Sequence, residues 1–551
     1  MRLLTRFVIC GILLSLIVGV AAAQDAPLAS GDDALVLVYW LPVHTSPDAD
    51  SPIAAEMVRG MDAQVIAVQA DKQGNTWYYL TNNAYGWVPS EWNGESALTQ
   101  SSDSALQQIV AEASDALTAD PQNLNAYIGR GEAYQSLKSY DLALADYTQA
   151  INLAPDDGRL YELRGDVYLD QVDGVVAQAD FEQAIKLGRT LANTYNRLGV
   201  AYLQQGIDGM ALGQYLEASS TTPEYGLPYN NMANAYLNLR LEDKAMGNYG
   251  LAISHDPFLT LAYDNRGLLY ENQQNYQAAL QDYNQALEIF PEDYGALVAR
   301  AGVYEDNFRD FTTALADLNR AIELQPDISD AYVSRSYAYR MLGHVQEGID
   351  DLKQAVKLNP TDDDAYYNLA SVYGHAGLYD EAITAYNRTI EIGDNYDVSV
   401  LLYRAQVYVA MDDDRNALAD LDAFLTHNSR KDFIATAHFV RGSLNLRRKD
   451  YESALADFKS AFEAWPEFAQ DYQTYGPGYW TAEPRIQLIA DVENRFAADS
   501  SNADLMLQLG ALYMEYGHWN EGLAIYRFYL DSNPDADLQR FVDGLDNLVN
   551  E

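Results

Sequence analysis

The sequence predicts a mainly α-helical chain: a solenoid of about twelve helix–turn–helix repeats, preceded by one small β-barrel. Two observations carry the solenoid. Small residues recur at Gly131, Gly165, Gly199, Ala233, Gly267 and Ala301, each 34 positions after the last, and continue with small drifts through Ser336, Ala370, Ala405, Gly442, Gly476 and Gly510. A tyrosine stands three residues beyond every one of these except Gly442, where Asn445 replaces it. The third observation is a change of period over residues 33–97, where β-branched and aromatic runs are separated by turn residues.

Residues 1–23 read as an export signal. Arg2 and Arg6 give a positive start, an apolar run follows from Phe7 to Val20, and Ala21-Ala22-Ala23 offers a small-residue cleavage site. The run is short for a bilayer span. An exported protein is therefore expected, in the periplasm, cell envelope or extracellular space, with a membrane role only if the segment stays uncleaved. The single cysteine, Cys10, lies inside this segment. A mature chain without cysteine has no disulfide, no thiolate metal ligand and no thiol nucleophile.

Composition narrows the partners. Lys and Arg number 35 against 80 Asp and Glu, a net charge of −45, so nucleic acid and anionic membrane would be repelled. At 48 % hydrophobic residues the acidity does not signal disorder. A chain of 551 residues exceeds what one core organises, which suits a repeat array.

Within residues 33–97, "ALVLVYW", "AQVIAVQA" and "TWYYLTN" are strand-like. The stretch "TWYYLTNNAYGWVPSEW" resembles the end of a bacterial SH3-like domain, on Trp77, Tyr78, Gly86, Trp87 and Val88. That resemblance implies a small barrel and a cell-wall or peptide-binding role. "VYWLPVHTSPDADSP" stands where the family carries an Arg-Ser-Gly-Pro-Gly loop. Trp77 and Trp87 are expected in the barrel core.

Each repeat explains itself physically. In "YIGRGEAY" (Tyr127–Tyr134) the two tyrosines and Gly131 are spaced four and three apart, which puts them on one helical face. The small residue admits a partner helix closely. Alanines such as Ala143, Ala177 and Ala211 follow twelve residues on, and prolines such as Pro155, Pro223 and Pro257 close many repeats. This pattern resembles the tetratricopeptide repeat, over residues 104–535. Residues Ser104–Pro121 fit a second helix whose first is missing, and 536–551 read as an amphipathic capping helix. The resemblance implies that first helices line a concave face able to hold an extended peptide.

One charge pattern recurs. Arginine precedes the small residue at Arg130, Arg164, Arg266, Arg300, Arg335, Arg404 and Arg441, and an aspartate follows sixteen or seventeen residues later at Asp146, Asp180, Asp282, Asp317, Asp351, Asp420 and Asp457. Where the base becomes Leu198, Met232, Leu369 or Leu509, the partner position holds Gln214, Asn248, Ala385 or Ile525. The acid vanishes with the base, except in the repeat with Tyr475 and Asp491. A guanidinium–carboxylate fork between the two helices of one repeat is expected.

No catalytic constellation is visible. The seven histidines form no i,i+4 pair, and neither a phosphate-binding glycine loop nor a G-x-S-x-G elbow occurs. Neither enzyme activity nor cofactor nor metal is expected. The leading functional reading is a non-enzymatic scaffold that binds a neutral or cationic polypeptide in an acidic, asparagine-lined groove. The groove candidates are Asn196, Asn230, Asn231, Asn234, Asn238, Asp264, Asn265, Asn272 and Asn368, because an amide both donates and accepts and so matches a peptide backbone. Tyr475, Tyr479 and Trp480 in "YQTYGPGYW" form an aromatic contact candidate. Two further readings stay open: an envelope adaptor that holds peptidoglycan through the SH3-like domain, and an accessory subunit of an export or processing enzyme complex.

Overall fold

A computed structural model describes residues 28–30, 33–36, 41–57, 61–81, 85–92, 95–393, 399–427, 430–465, 483–515 and 518–550. The expected export signal, residues 1–23, and the aromatic candidates Tyr475, Tyr479 and Trp480 lie outside the described residues. Two compact units divide between Phe308 and Arg309. Among the described residues no helix is long and apolar enough to cross a membrane.

The N-terminal unit opens with an antiparallel sheet. Its strands are β1 (Asp33–Val36), β2 (Leu41–His44), β3 (Ile53–Met57), β4 (Asp62–Ala70), β5 (Thr76–Thr81), β6 (Tyr85–Pro89) and, after the short pair β7 (Glu91–Trp92) and β8 (Glu95–Ser96), β9 (Leu98–Gln100). The spatial order is β3-β2-β6-β5-β4-β1-β9, with Tyr79 opposite Trp87 on β5 and β6. Gly86 is required by close approach: a Cβ there would lie 2.6 Å from Val43 Cγ1 and 2.7 Å from the His44 carbonyl oxygen.

The sheet curls but stays open, with β3 and β9 as its edges. A closed barrel was expected, and the difference has a physical reason. An exposed strand edge must be paired or covered, and here the β3 edge lies against a helix of the repeat array instead of against another strand.

The array begins with a lone helix, α1 (Asp103–Ala119), as its unpaired sequence suggests. Paired repeats follow: α2 (Leu124–Ser136) with α3 (Tyr140–Leu153), α4 (Gly158–Asp170) with α5 (Gly174–Lys186), α6 (Ala192–Gln204) with α7 (Asp208–Thr221), α8 (Leu227–Asn238) with α9 (Glu242–His255), and α10 (Thr260–Asn272) with α11 (Tyr276–Ile289). The first helix α12 (Tyr294–Val303) and one π-helical turn (Tyr304–Phe308) end the unit.

Small residues set the helix spacing. A Cβ at Gly131 would sit 2.9 Å from the Tyr147 ring, and one at Gly199 only 2.4 Å from the Tyr215 ring. Both tyrosines are wholly buried. Three of the expected arginine forks form in this unit. Arg130 Nη2 lies 2.7 Å from Asp146, Arg164 Nη2 2.7 Å from Asp180, and Arg266 Nη2 2.7 Å from Asp282, with Nε completing each fork at 2.8 Å. The remaining nitrogen reaches back one repeat: Arg130 Nη1 donates to Ser114 at 3.0 Å and Arg164 Nη1 to Thr148 at 3.4 Å. Flanking tyrosines cover the cation, as with Tyr263 and Tyr270 over Arg266 at 5.9 and 6.0 Å. One side chain thus ties two helices and the preceding repeat.

The turn between paired helices ends in a left-handed residue. Gly206 fills it in one repeat (φ 72°), but Lys138, Val172, Arg240 and Gln274 hold φ of 56–60° elsewhere. A β-branched residue fits this region worst. Val172→Gly is therefore expected to raise stability by about 1 kcal/mol, read as a higher denaturation midpoint at unchanged slope.

In the C-terminal unit, α13 (Phe311–Leu324) leads to pairs α14 (Ser329–Met341) with α15 (Val345–Leu358), α16 (Asp363–His375) with α17 (Tyr379–Ile392), α18 (Ser399–Ala410) with α19 (Asp414–His427), and α20 (Lys431–Arg447) with α21 (Tyr451–Ala464). Helices α22 (Glu483–Ala498), α23 (Ala503–Glu515), α24 (Trp519–Ser532) and α25 (Ala536–Asn550) complete it. Forks recur at Arg335–Asp351 (2.6 Å), Arg404–Asp420 (2.7 Å) and Arg441–Asp457 (2.7 Å). The seventh couple, Arg300 and Asp317, falls on either side of the division between the units. Trp519, fully buried, packs edge-on to Phe439 and Phe458, and α25 lays Leu538, Phe541, Val542 and Leu545 onto this core. Helix α25 thus packs by one apolar face, as an amphipathic helix does.

Candidate functional site

In the N-terminal unit the first helices α2, α4, α6, α8, α10 and α12 each touch the next, while the second helices make no comparable contacts with one another. First helices that converge while second helices splay must line the inner, concave side. That face is the candidate site.

Its asparagines form a connected chain. Asn265 Nδ2 donates to Asn230 Oδ1 at 3.0 Å, Asn230 Nδ2 to Asn231 Oδ1 at 3.2 Å, and Asn231 Nδ2 to Asn196 Oδ1 at 2.9 Å. The ladder therefore joins α6, α8 and α10 through the amides themselves. Asn196 and Asn230 are buried, at 1 % and 0 % exposure, whereas Asn231 and Asn265 are half-buried. Asn234 accepts from the Tyr249 hydroxyl of α9, and Asn238 donates to Asp208 at 3.1 Å. Asn238, Leu268 and Asn272, toward the C-terminal ends of α8 and α10, are open to solvent. Asn368 lies on α16 in the other unit. Asn231→Leu is expected to cost about 2 kcal/mol in stability, because it leaves the Asn230 amide and the Asn196 carbonyl buried without their partner. Hydrogen exchange across α6 and α8 would rise accordingly.

Several acids on this face are paired within the chain. Arg189 binds Glu162, which also accepts from Thr194, and Arg197 Nε lies 2.5 Å from Asp166. Glu132 accepts from Tyr147, and Glu271 from Tyr283. Burial raises the pKa of Glu162 and of Asp166, with the arginines pulling the other way.

The β domain covers the N-terminal half of the same face. Strand β3 runs against α6, and Glu56 on β3 meets Arg189 at 3.0 Å. A cavity of about 30 Å³, room for roughly one water, remains between Ala55, Glu56 and Met57 on one side and Glu162, Asp166 and Arg197 on the other. Ala54 and Tyr85 join the apolar cluster of Ala192, Tyr225, Leu227 and Ala262. Tyr79 donates to Asp256 at 2.5 Å, in the loop between α9 and α10. Phe258 of that loop packs 5.1 Å from Trp87 and 5.8 Å from Tyr79, and Phe290 closes the cluster. Trp77 and Trp87 are buried as expected, at 3 % and 2 % exposure, although Trp87 packs on the array as well as within the sheet.

Burial raises the Asp256 carboxyl to about 6, against the hydrogen bonds from Tyr79 and the Phe258 amide. Asp264 rises to about 9, first through burial and then through the neighbouring charge of Asp293, and its Oδ1 is buried without a hydrogen-bond partner. Sequence reasoning missed Asp256, Phe258, Arg189 and Tyr85. Their positions carry no periodic signal, since loop residues between repeats look alike whether or not a domain sits on them.

Family profiles of the tetratricopeptide repeat match residues 124–157 and 262–293, and a second profile of the same repeat matches 300–363, 335–397 and 403–467. The chain carries tetratricopeptide repeats over this span. This architecture is a protein-interaction fold, not a catalytic one, and among the described residues no cluster of three or more His, Cys, Asp or Glu could hold a metal. Among solved structures, the chain is similar to MamA, at 24 % identity over 29 % of this chain and 93 % of that one, with a TM-score of 0.26. It is similar also to YrrB, a tetratricopeptide protein with an unusual peptide-binding site, at 22 % identity over 34 % and 97 % with a TM-score of 0.27. A tetratricopeptide protein from Parabacteroides merdae ATCC 43184 shares 20 % identity over 46 % and 98 %, with a TM-score of 0.35. No curated protein matches the chain.

Proposed function

We propose that the protein is an exported, non-enzymatic scaffold that holds a neutral or cationic polypeptide segment on the acidic, asparagine-lined inner face of its first helices. The single observation that carries this reading is the converging row of first helices, with Asn238, Leu268 and Asn272 open at its C-terminal side. The sign of the partner follows from charge. The chain has a net charge of −45, and Glu162 and Asp166 on this face are matched by the chain's own Arg189 and Arg197. A face that needs internal cations favours a basic ligand over an acidic one. The SH3-like character of the β domain, and its export with the array, belong to the same proposal. Burial of Trp77 and Trp87 favours the helical face over the sheet as the binding surface, against the peptidoglycan reading.

Fluorescence anisotropy with basic, neutral and acidic peptides of equal length tests it. Basic peptides should bind tightest and weaken with added salt. Asn238→Arg together with Asn272→Arg should weaken binding about tenfold. Preference for acidic peptides, or indifference to these two substitutions, would overturn the proposal.

A further inference from the structure

We infer that the N-terminal β domain is a hinged occupant of this groove, anchored on α2 and α4 and latched to the α9–α10 loop, and that a polypeptide ligand and the closed latch exclude one another. This rests on the reading of the inner face as a polypeptide site.

The two sides of the contact differ in kind. At the anchor, Val36, Leu41 and Met57 of the sheet share one apolar cluster with Ile128 of α2 and Leu160 and Leu163 of α4. The chain also passes directly from β9 to α1 on this side. At the latch, the contact is a tyrosine–aspartate hydrogen bond, an aromatic cluster with Phe258 and Phe290, and the packing of Ala54 and Tyr85 on Tyr225, Leu227 and Ala262. It covers carboxyls that burial disfavours, Asp256 and Asp264, with Tyr79, Tyr85, Tyr225 and Tyr263 facing Asp256 and with Asp293, Asp282 and Tyr85 facing Asp264. Arg197 is the cation that acts on Tyr225 in this group, and Arg266 is engaged by Asp282. An edge continuous in the chain with the array, and an opposite edge whose packing buries the carboxyls of Asp256 and Asp264, describe a domain that opens at one side.

What the domain covers is what a ligand would use. β3 is itself an extended segment lying along α6, with Glu56 on Arg189, so the groove already holds a polypeptide strand of its own chain. Asp264 lies beside Tyr85 of the sheet, while Asn238 and Asn272 are open to solvent. A ligand that starts on the open row and extends along the ladder must lift β5 and β6 away.

The test uses the full chain, a fluorescein-labelled lysine-rich peptide, and hydrogen exchange over residues 76–89 and 256–262. Phe258→Glu places a charge against Trp87 and Tyr79 without touching the sheet's own residues. It should raise exchange in both segments, leave exchange at residues 33–36 unchanged and tighten peptide binding about tenfold. The peptide added to the unaltered protein should raise exchange in residues 76–89. Tyr79→Phe, a milder change, should act in the same direction and decides the matter if Phe258→Glu loses helical signal. Raised exchange with unchanged affinity would overturn the exclusion while leaving polypeptide binding intact. Peptide bound by neither form would overturn the functional reading itself, and unchanged exchange in both variants would show that no latch exists.

Discussion

Asp180→Ala is expected to be the most damaging single substitution in the α4–α5 pair, at about 3 kcal/mol of lost stability. The aspartate side chain is 7 % exposed and receives both Nε and Nη2 of Arg164. Removing it strands a guanidinium that Tyr161 covers and that reaches Thr148 of the preceding repeat. Arg164 retains 21 % exposure, so solvent relieves part of the stranded charge and the value sits at the low end for a buried pair. The double variant Arg164→Met with Asp180→Leu should recover most of the loss, because no charge is left uncompensated. Chemical denaturation, with hydrogen exchange across α4 and α5 to locate the opening, measures both. A single variant that costs well under 1 kcal/mol, or a double variant as unstable as the single, would show that the fork does not hold the repeat together.

Raising the pH is expected to weaken the closure of the β domain over the α9–α10 loop. Asp256 has its carboxyl raised by burial to about 6, above the ordinary aspartate value of 3.8. A raised carboxyl favours the protonated, closed form. Its contribution is complete below about pH 4 and is lost as the pH climbs through about 6, after which ionised Asp256 opposes closure by about 3 kcal/mol. Asp264, raised further by burial and by Asp293, extends the same trend to higher pH. Among the described residues no cation opposes it directly, since the groups facing Asp256 are the hydroxyls of Tyr79, Tyr85, Tyr225 and Tyr263. Fluorescence of Trp87, which packs on Phe258, should therefore shift between acid and neutral pH, and Asp256→Asn should flatten the lower part of that transition. A shift of the opposite sign, or one untouched by Asp256→Asn, would refute the assignment.

The helix pairs and their forks were legible because each is local. Arg130 and Asp146 lie sixteen residues apart in one repeat, the acid disappears with the base in four repeats and stays without it only at Asp491, the partner position of Tyr475, and seven copies repeat the pairing within one chain. Gly199 under Tyr215 is legible for the same reason: a 34-residue period brings the same two positions together each time. The asparagine ladder was half legible. The resemblance to the tetratricopeptide repeat implied that Asn196, Asn230, Asn231 and Asn265 share adjoining faces, but only coordinates show that the amides bond to each other across a separation of 35 residues in two of the three links. The expected barrel was legible as strands and not as closure. Whether an edge pairs with a strand or packs on a helix depends on partners more than a hundred residues away, such as Phe258 beneath Trp87.

The sequence by itself determined the repeat, its period, its small-residue crossings, its internal forks and its acidity, because short-range geometry and side-chain volume decide all of them. The tertiary structure alone decided that the sheet lies against the first helices, which asparagines are buried, and which carboxyls burial pushes upward. Those outcomes rest on contacts between Tyr79 and Asp256, or Glu56 and Arg189, that are distant in the chain and carry no periodic trace. Burial, unlike spacing, is a property of the folded whole.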